Sequence, residues 1–176
     1  VAHVRYRAAV FTNVRHEHLV FRGSFEQYRS DKADLFRALE AGSYAEADQP
    51  PPDQDPVPSP GALPELAPLA LPLSEPFGVV NAEDPNTPYF ASATSRPLLT
   101  YALDREAHYM ARDLELEATA SRFILVTPTG EAPAEIRIPG RFNVVNALAA
   151  AAAVQGVLGC TAAEIAQVLP QLRPVP

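Results

Sequence analysis

Ten of the chain's 19 prolines fall between Gln49 and Pro76. Proline removes a backbone donor and locks φ, so a run such as PPPDQDPVPSPG sustains neither a helix nor a central strand. The stretches that can form regular structure therefore lie on either side of this block, and the fold must unite them across it. Long loops cost little extra closure entropy, so residues 45–76 are expected to be an inserted, solvent-exposed loop with polyproline II character. A lid or recognition role is the alternative for so long a segment.

Before the block, Ala8 to Asn13 reads AAVFTN, a buried strand that delivers Thr12 and Asn13 to a sheet edge. The loop VRHEHLVFRG follows. Ser24, with Gln27 three residues on, then caps a helix whose Phe25, Tyr28, Leu35, Phe36 and Leu39 recur at helical spacing. Gly42 is placed to end it. After the block, FGVVNAEDP is a strand running into an acidic turn, and SRPLLTYAL is another strand. Leu114–Ala120, Arg122–Pro128 and Glu135–Ile138 alternate as half-buried strands of a small antiparallel unit. Asn143 to Leu158 predicts a strong helix stopped near Gly159, and Thr161 with Glu164 caps a last helix before Pro170. Interleaved strands and helices make the class α/β.

A net charge of −7 excludes general affinity for nucleic acid or anionic membranes, although Arg15, Arg22, Arg29 and Lys32 gather early enough to form a local pocket for a nucleotide. With 176 residues, 47% of them hydrophobic, there is room for one sizeable domain. No apolar run is expected to span a bilayer, since the longest, Ala147 to Leu158, is interrupted by Gln155 and Gly156. The N-terminus lacks the pattern of a signal peptide, and the single cysteine, Cys160, permits no intrachain disulfide; both fit a reducing cytoplasm. Cys160 follows the helix stop at Gly159 and reads as a small buried residue, not a nucleophile.

Two stretches go beyond pattern. TNVRHEHLVFRGSFEQYRSDKADLF resembles the Mur ligase signature in which a TN pair precedes a DHLD element, a helix, and a lysine shortly before Leu-Phe. GRFNVVNALAAAAA resembles the family's second signature, which opens a helix near the nucleotide. Between them VVNAEDP and PLLTYAL resemble consecutive family strands, and LRPVP resembles the junction into a third domain. The context of Tyr28 and Leu35-Phe36 is similar to the branch that extends UDP-N-acetylmuramoyl-peptide. The resemblance implies a three-layer α/β central domain, a mostly parallel sheet with helices and a small antiparallel unit. It implies an ATP- and Mg²⁺-dependent carbon–nitrogen ligase of cell-wall (peptidoglycan) synthesis. The substrate carboxylate would be phosphorylated to an acyl phosphate and then attacked by the amine of an incoming amino acid.

On spacing alone Lys32 shares the apolar stripe of its helix and must extend its head to water or find a partner. In the resembling enzymes the matching lysine is carbamylated and lies near Mg²⁺, which makes Lys32 the catalytic candidate and a metal-side group. His18 matches the histidine of DHLD that coordinates Mg²⁺, and Glu17 stands where the family has aspartate; Val20 and Arg22 also depart from the pattern. Asn143 and Asn146 open a helix. Asn143 reads as its N-cap, and the resemblance places this motif near the ATP base. Gly140 allows a tight approach to that helix. Asn13 is a nucleotide- or metal-side candidate from its place at a strand end. Asp84 is a weaker candidate, because an acidic loop residue is more often solvated.

No glycine-rich loop ending in Gly-Lys-Thr or Gly-Lys-Ser occurs in the 176 residues. Set against the family, residues 1–176 are expected to be part of a central ATP-binding domain without its phosphate loop, N-terminal substrate domain or C-terminal domain. Alone it should not turn over ATP. The alternatives are a folylpolyglutamate or cyanophycin synthetase on the same central domain, or a non-catalytic Mur-like binding module, motivated by Glu17, Val20 and the proline-rich block. The residues do not name the amino acid added or the oligomeric state.

Overall fold

A computed structural model describes residues 6–14, 25–41, 66 and 69–173. In chain order the elements are β1 (Ala8–Phe11), α1 (Phe25–Ala41), β2 (Phe77–Asn81), α2 (Thr87–Ser92), β3 (Leu98–Ala102), β4 (Tyr109–Leu116), β5 (Ser121–Thr127), β6 (Gly130–Ile136), α3 (Arg141–Leu158) and α4 (Ala162–Val168), then a short 3₁₀ turn, Leu169–Gln171. The six strands lie in sequence order in one sheet, parallel from β1 to β4 and antiparallel from β4 to β6. The antiparallel unit expected from the sequence is thus the continuation of the parallel sheet.

Alternation along the strands builds two cores. Phe77, Val79, Leu99, Tyr101 and Tyr109 face α3, whereas Ala9, Phe11 and Val80 face α1 and α2 through Phe36, Leu39 and Phe90. The result is the expected three-layer α/β arrangement. Helix α3 can approach closely because its buried face is Ala147, Ala151, Ala152 and Gly156. A Cβ on Gly156 would lie 2.4 Å from Phe77 Cζ and 3.0 Å from Leu99 Cδ1. By length and composition alone α3 could cross a membrane, with a mean hydropathy of 1.3 over its 18 residues. That differs from the sequence reading because the helix opens at Arg141; its buried face packs on the sheet, as a core helix does. The capping box of α4 is formed as expected, the Thr161 and Glu164 side chains each accepting from the other's backbone N–H.

At the far end of α3, Gln155 is fully buried and fully satisfied. Its Oε1 accepts from Tyr109 Oη at 2.8 Å, and its Nε2 donates to Thr129 Oγ1 at 2.9 Å and Cys160 O at 2.6 Å. Burial, with the Cys160 charge as a lesser cause, pushes the Tyr109 phenol above its ordinary range, so it remains a donor.

Several elements differ from the sequence reading. Strand β4 starts at Tyr109, not Leu114, and residues 117–120 form a turn closed by Glu117 N to Ala120 O at 2.9 Å. The cause is a register shift between Arg112 and Glu115, with Asp113 at φ 51, which breaks the alternation that a sequence can display. Strand β6 likewise starts earlier, at Gly130. Helix α2, with Pro88 in its first turn, follows the acidic turn where the sequence reading placed no element. The last part of the 45–76 block is not a free loop: Leu73 is buried, its N–H donates to Gly156 O at 2.9 Å, and Leu69 and Leu71 pack on the same core. Ser24 and Gly42 lie outside the described residues.

Parallel neighbours ordinarily need a long crossover, yet only residues 103–108 join β3 to β4. Strand β4 pairs with just the last two residues of β3, Tyr101 with Tyr109 and Ala102 with Met110, so the chain doubles back only briefly. His108 anchors the fold-back, accepting from Thr100 N at Nδ1 (3.1 Å) while its own N–H donates to Thr100 Oγ1 (3.1 Å).

Candidate functional site

In open α/β sheets ligands bind outside the carboxyl ends of the parallel strands, and here the ends of β1, β2 and β3 are tied together by side chains. Strand β1 runs out into Thr12 and Asn13, both half-buried. Tyr101 Oη donates to Phe11 O at 3.1 Å and Asn81 Nδ2 donates to Thr12 O at 3.1 Å. Burial foremost, and then the Asp84 and Glu83 carboxylates, push the Tyr101 phenol well above its ordinary range, which keeps the donor proton in place.

Strand β2 runs into Asn81-Ala82-Glu83-Asp84. Asn81 Oδ1 accepts from Glu83 N at 3.0 Å, and Thr87 Oγ1 donates to Asn81 O. Asp84 closes the turn into α2, its Oδ1 accepting from Asn86 N at 2.8 Å and Asn86 Nδ2 at 3.0 Å. That is a structural employment for the acidic residue singled out in the sequence. Glu83 does more: its Oε1 accepts from Leu103 N at 3.1 Å and Asp104 N at 2.6 Å, the two amides that follow β3. Arg105 Nη1 returns to Ala82 O at 2.8 Å, and Asp104 pairs with Arg141 in the first turn of α3.

The N-cap of α3 is Gly140, at φ 104 and ψ 144, a backbone conformation that side chains disfavour. This corrects the expectation that Asn143 caps the helix. Asn143 sits one turn in, and its Nδ2 donates to Pro139 O at 2.8 Å, bracing the approach to the helix. Asn146, one turn on, shares its side of the helix. Beside them Phe142 is 59% exposed, an apolar ring left open at the positive end of α3.

Lys32 lies on the helical stripe of Phe36 and Leu39 but is exposed, its Nζ 5.0 Å from the Tyr28 ring centroid. The core beneath α1 closes over Ala33, Phe36 and Leu39, and Lys32 stands clear of it. Of the early basic residues, Arg29 stacks over Tyr89 at 4.1 Å. Arg15, Arg22, His18, Glu17 and Val20 lie outside the described residues. Among the described residues no cluster of three or more His, Cys, Asp or Glu could hold a metal. Sequence reasoning missed Asn81, Glu83, Tyr101 and Arg105; the one signal for the first two was their place at a strand end.

Fold and edge together define an open-sheet α/β protein whose carboxyl edge joins three strand ends and a helix start. The chain belongs to the Mur ligase family: the model of the Mur ligase middle domain matches residues 1–50 and 69–154, leaving out the heart of the proline-rich block. Among curated proteins, UDP-N-acetylmuramyl-tripeptide synthetase of Treponema denticola is 34% identical over 98% of this chain and 29% of its own length. UDP-N-acetylmuramoyl-L-alanyl-D-glutamate–2,6-diaminopimelate ligase of Geobacillus kaustophilus is 33% identical over 97% of the chain and 29% of its own length. The chain thus spans under a third of these relatives. A solved structure of a ligase of that second name superposes with a TM-score of 0.70 at 22% identity, covering 97% of this chain and 29% of that one. MurF from Acinetobacter baumannii superposes with 0.68 at 20% identity, covering 96% and 30%. At these identities the structural matches speak to the fold.

Proposed function

We propose that the chain is the central, ATP-binding part of an amide ligase that adds an amino acid to UDP-N-acetylmuramoyl-peptide in cytoplasmic peptidoglycan synthesis. The observation that carries this reading is the identity of 33–34% across nearly the whole chain with ligases named for that substrate. A match to MurF of Thermotoga maritima in complex with ADP supports a nucleotide as co-substrate. ATP would donate its γ-phosphoryl group to the peptide carboxylate, releasing ADP. The amine of the amino acid would then attack the acyl phosphate and expel inorganic phosphate, leaving the amide. Asn143 and Asn146 are assigned to the nucleotide side and Asn13 to the nucleotide or metal side. Lys32, His18 and Glu17 are assigned to the Mg²⁺ side.

Lys32 is exposed, so its amine is within reach of dissolved CO₂. Loss of the ammonium proton frees Nζ to add to CO₂, and loss of a second proton from nitrogen leaves an anionic carbamate suited to a divalent ion. The test is ligase turnover by the intact enzyme with Lys32→Ala and His18→Ala. Each is expected to lower kcat about 100-fold or more. Unchanged turnover in both would remove the site assignment. A wild-type enzyme silent with every amino acid would favour a binding module.

A further inference from the structure

The catalytic assignments leave unused a relay of hydrogen bonds between the strand ends. It runs from Thr12 O to Asn81 Nδ2, from Asn81 Oδ1 to Glu83 N, and from Glu83 Oε1 to the amides of Leu103 and Asp104. It continues through Asp104 to Arg141 in the first turn of α3. Resting on the ligase reading above, we propose that Glu83 is a positioning residue that holds the nucleotide-side start of α3 in register with the Asn13 end of β1.

Two consecutive backbone N–H groups aimed at one point form a concave anion seat. Here the anion is the chain's own carboxylate. Glu83 is half-buried, whereas the Asp104–Arg141 pair is exposed at 72% and 49% of the two side chains. An exposed ion pair does little alone, so the loop after β3 is held chiefly from the Glu83 side. Arg105 closes the same loop back onto Ala82 O, which makes the β2 and β3 ends one unit. Without the Glu83 carboxylate, the Leu103 and Asp104 amides lose their acceptor and the loop is released. Asp104 then no longer presents a fixed partner to Arg141. Gly140 offers no side chain to hold the adjoining backbone, so Arg141 and the opening of α3 lose their tie to the strand ends, while the helix from Val144 on stays packed on the sheet. Misplacement of a binding group by about 1 Å is enough to change kinetics by orders of magnitude.

The experiment uses the intact ligase with Glu83→Ala, Glu83→Gln and, as a remote destabilising control, Thr161→Ala. Glu83→Ala is expected to raise KM for ATP about tenfold or more while KM for the amino acid moves less than about twofold. Glu83→Gln keeps an amide oxygen that accepts both N–H groups and is expected to stay within about threefold of wild type. Thr161→Ala should leave both KM values unchanged. Hydrogen exchange on the same variants reads the relay without turnover: Glu83→Ala should accelerate residues 103–105 and 140–146 together. An unchanged KM for ATP, equal loss in Glu83→Gln and Glu83→Ala, or exchange accelerated only at 103–105 would overturn the proposal. An inactive wild type with coupled exchange would instead reject the ligase reading and leave the relay standing.

Discussion

Replacing Gly156 by alanine sets two physical effects against each other, and the structure decides the sign. Within a helix, alanine in place of glycine stabilises by up to ~1 kcal/mol. At Gly156 the added Cβ would meet Phe77 Cζ at 2.4 Å, Phe77 Cε2 at 2.6 Å and Leu99 Cδ1 at 3.0 Å. Carbon atoms prefer roughly 3.5–4.0 Å, so the overlap is about 1 Å. Phe77 and Leu99 are both fully buried, with no solvent side to move into. Helix α3 must therefore lift off β2 and β3, and overpacking of this kind costs ~1–3 kcal/mol. Taking the upper part of that range and subtracting the helix gain leaves a net loss of about 2 kcal/mol. For a domain of this size that corresponds to a fall in Tm of roughly 4–8 °C. Thermal melting followed by circular dichroism, with urea unfolding to check that the m-value is unchanged, measures it. Adding Phe77→Leu makes room, so the double variant should lose at least about 0.5 kcal/mol less than the two single losses summed. An unchanged or raised Tm in Gly156→Ala would show that α3 does not rest on Phe77 as described.

Three further outcomes follow from the same structure. Gln155→Ala strands the Tyr109 hydroxyl and Cys160 O in the core and opens a cavity, a loss of ~2–4 kcal/mol in urea unfolding. Gly140→Ala meets no atom within 4 Å but must adopt φ 104, so a strain of roughly 1–2 kcal/mol should appear with faster exchange of the amides that open α3. For Glu40, burial acts to raise the carboxyl, but hydrogen bonds from Thr94 and Ser95 and the Arg96 charge outweigh it, holding it below its ordinary 4.5. A depressed carboxyl stabilises the fold above its unfolded pKa and loses that contribution as pH falls below about 4.5 and through the folded value. Glu40 is 40% exposed, so after screening the effect is on the order of 0.5 kcal/mol. Glu40→Gln should flatten that part of the acid limb, and a limb identical to wild type would remove the assignment.

Local pattern determined much of this protein. The buried run at Phe77, the alanine-rich helix to Leu158, the stop at Gly159 and the Thr161–Glu164 capping box depend on neighbours a few residues away, and such neighbours are visible in a sequence. The likeness of the TN and GRFN stretches to Mur ligases was legible for the same reason, since each motif is contiguous. Tertiary structure alone decided the rest. The start of β4 was hidden because a bulge at Asp113 disrupts alternation, and the exposure of Lys32 depends on where the core under α1 closes. Residues 69–76 read as loop because proline forbids regular hydrogen bonding, yet Leu73 finds its partner in Gly156 O, some eighty positions away. Beyond its place at a strand end Glu83 gave no signal as an anchor, because the amides that donate to its carboxylate belong to a strand end twenty residues downstream. Periodicity encodes which face of an element is buried; which strand ends meet, and which carboxylate joins them, is settled only when the sheet assembles.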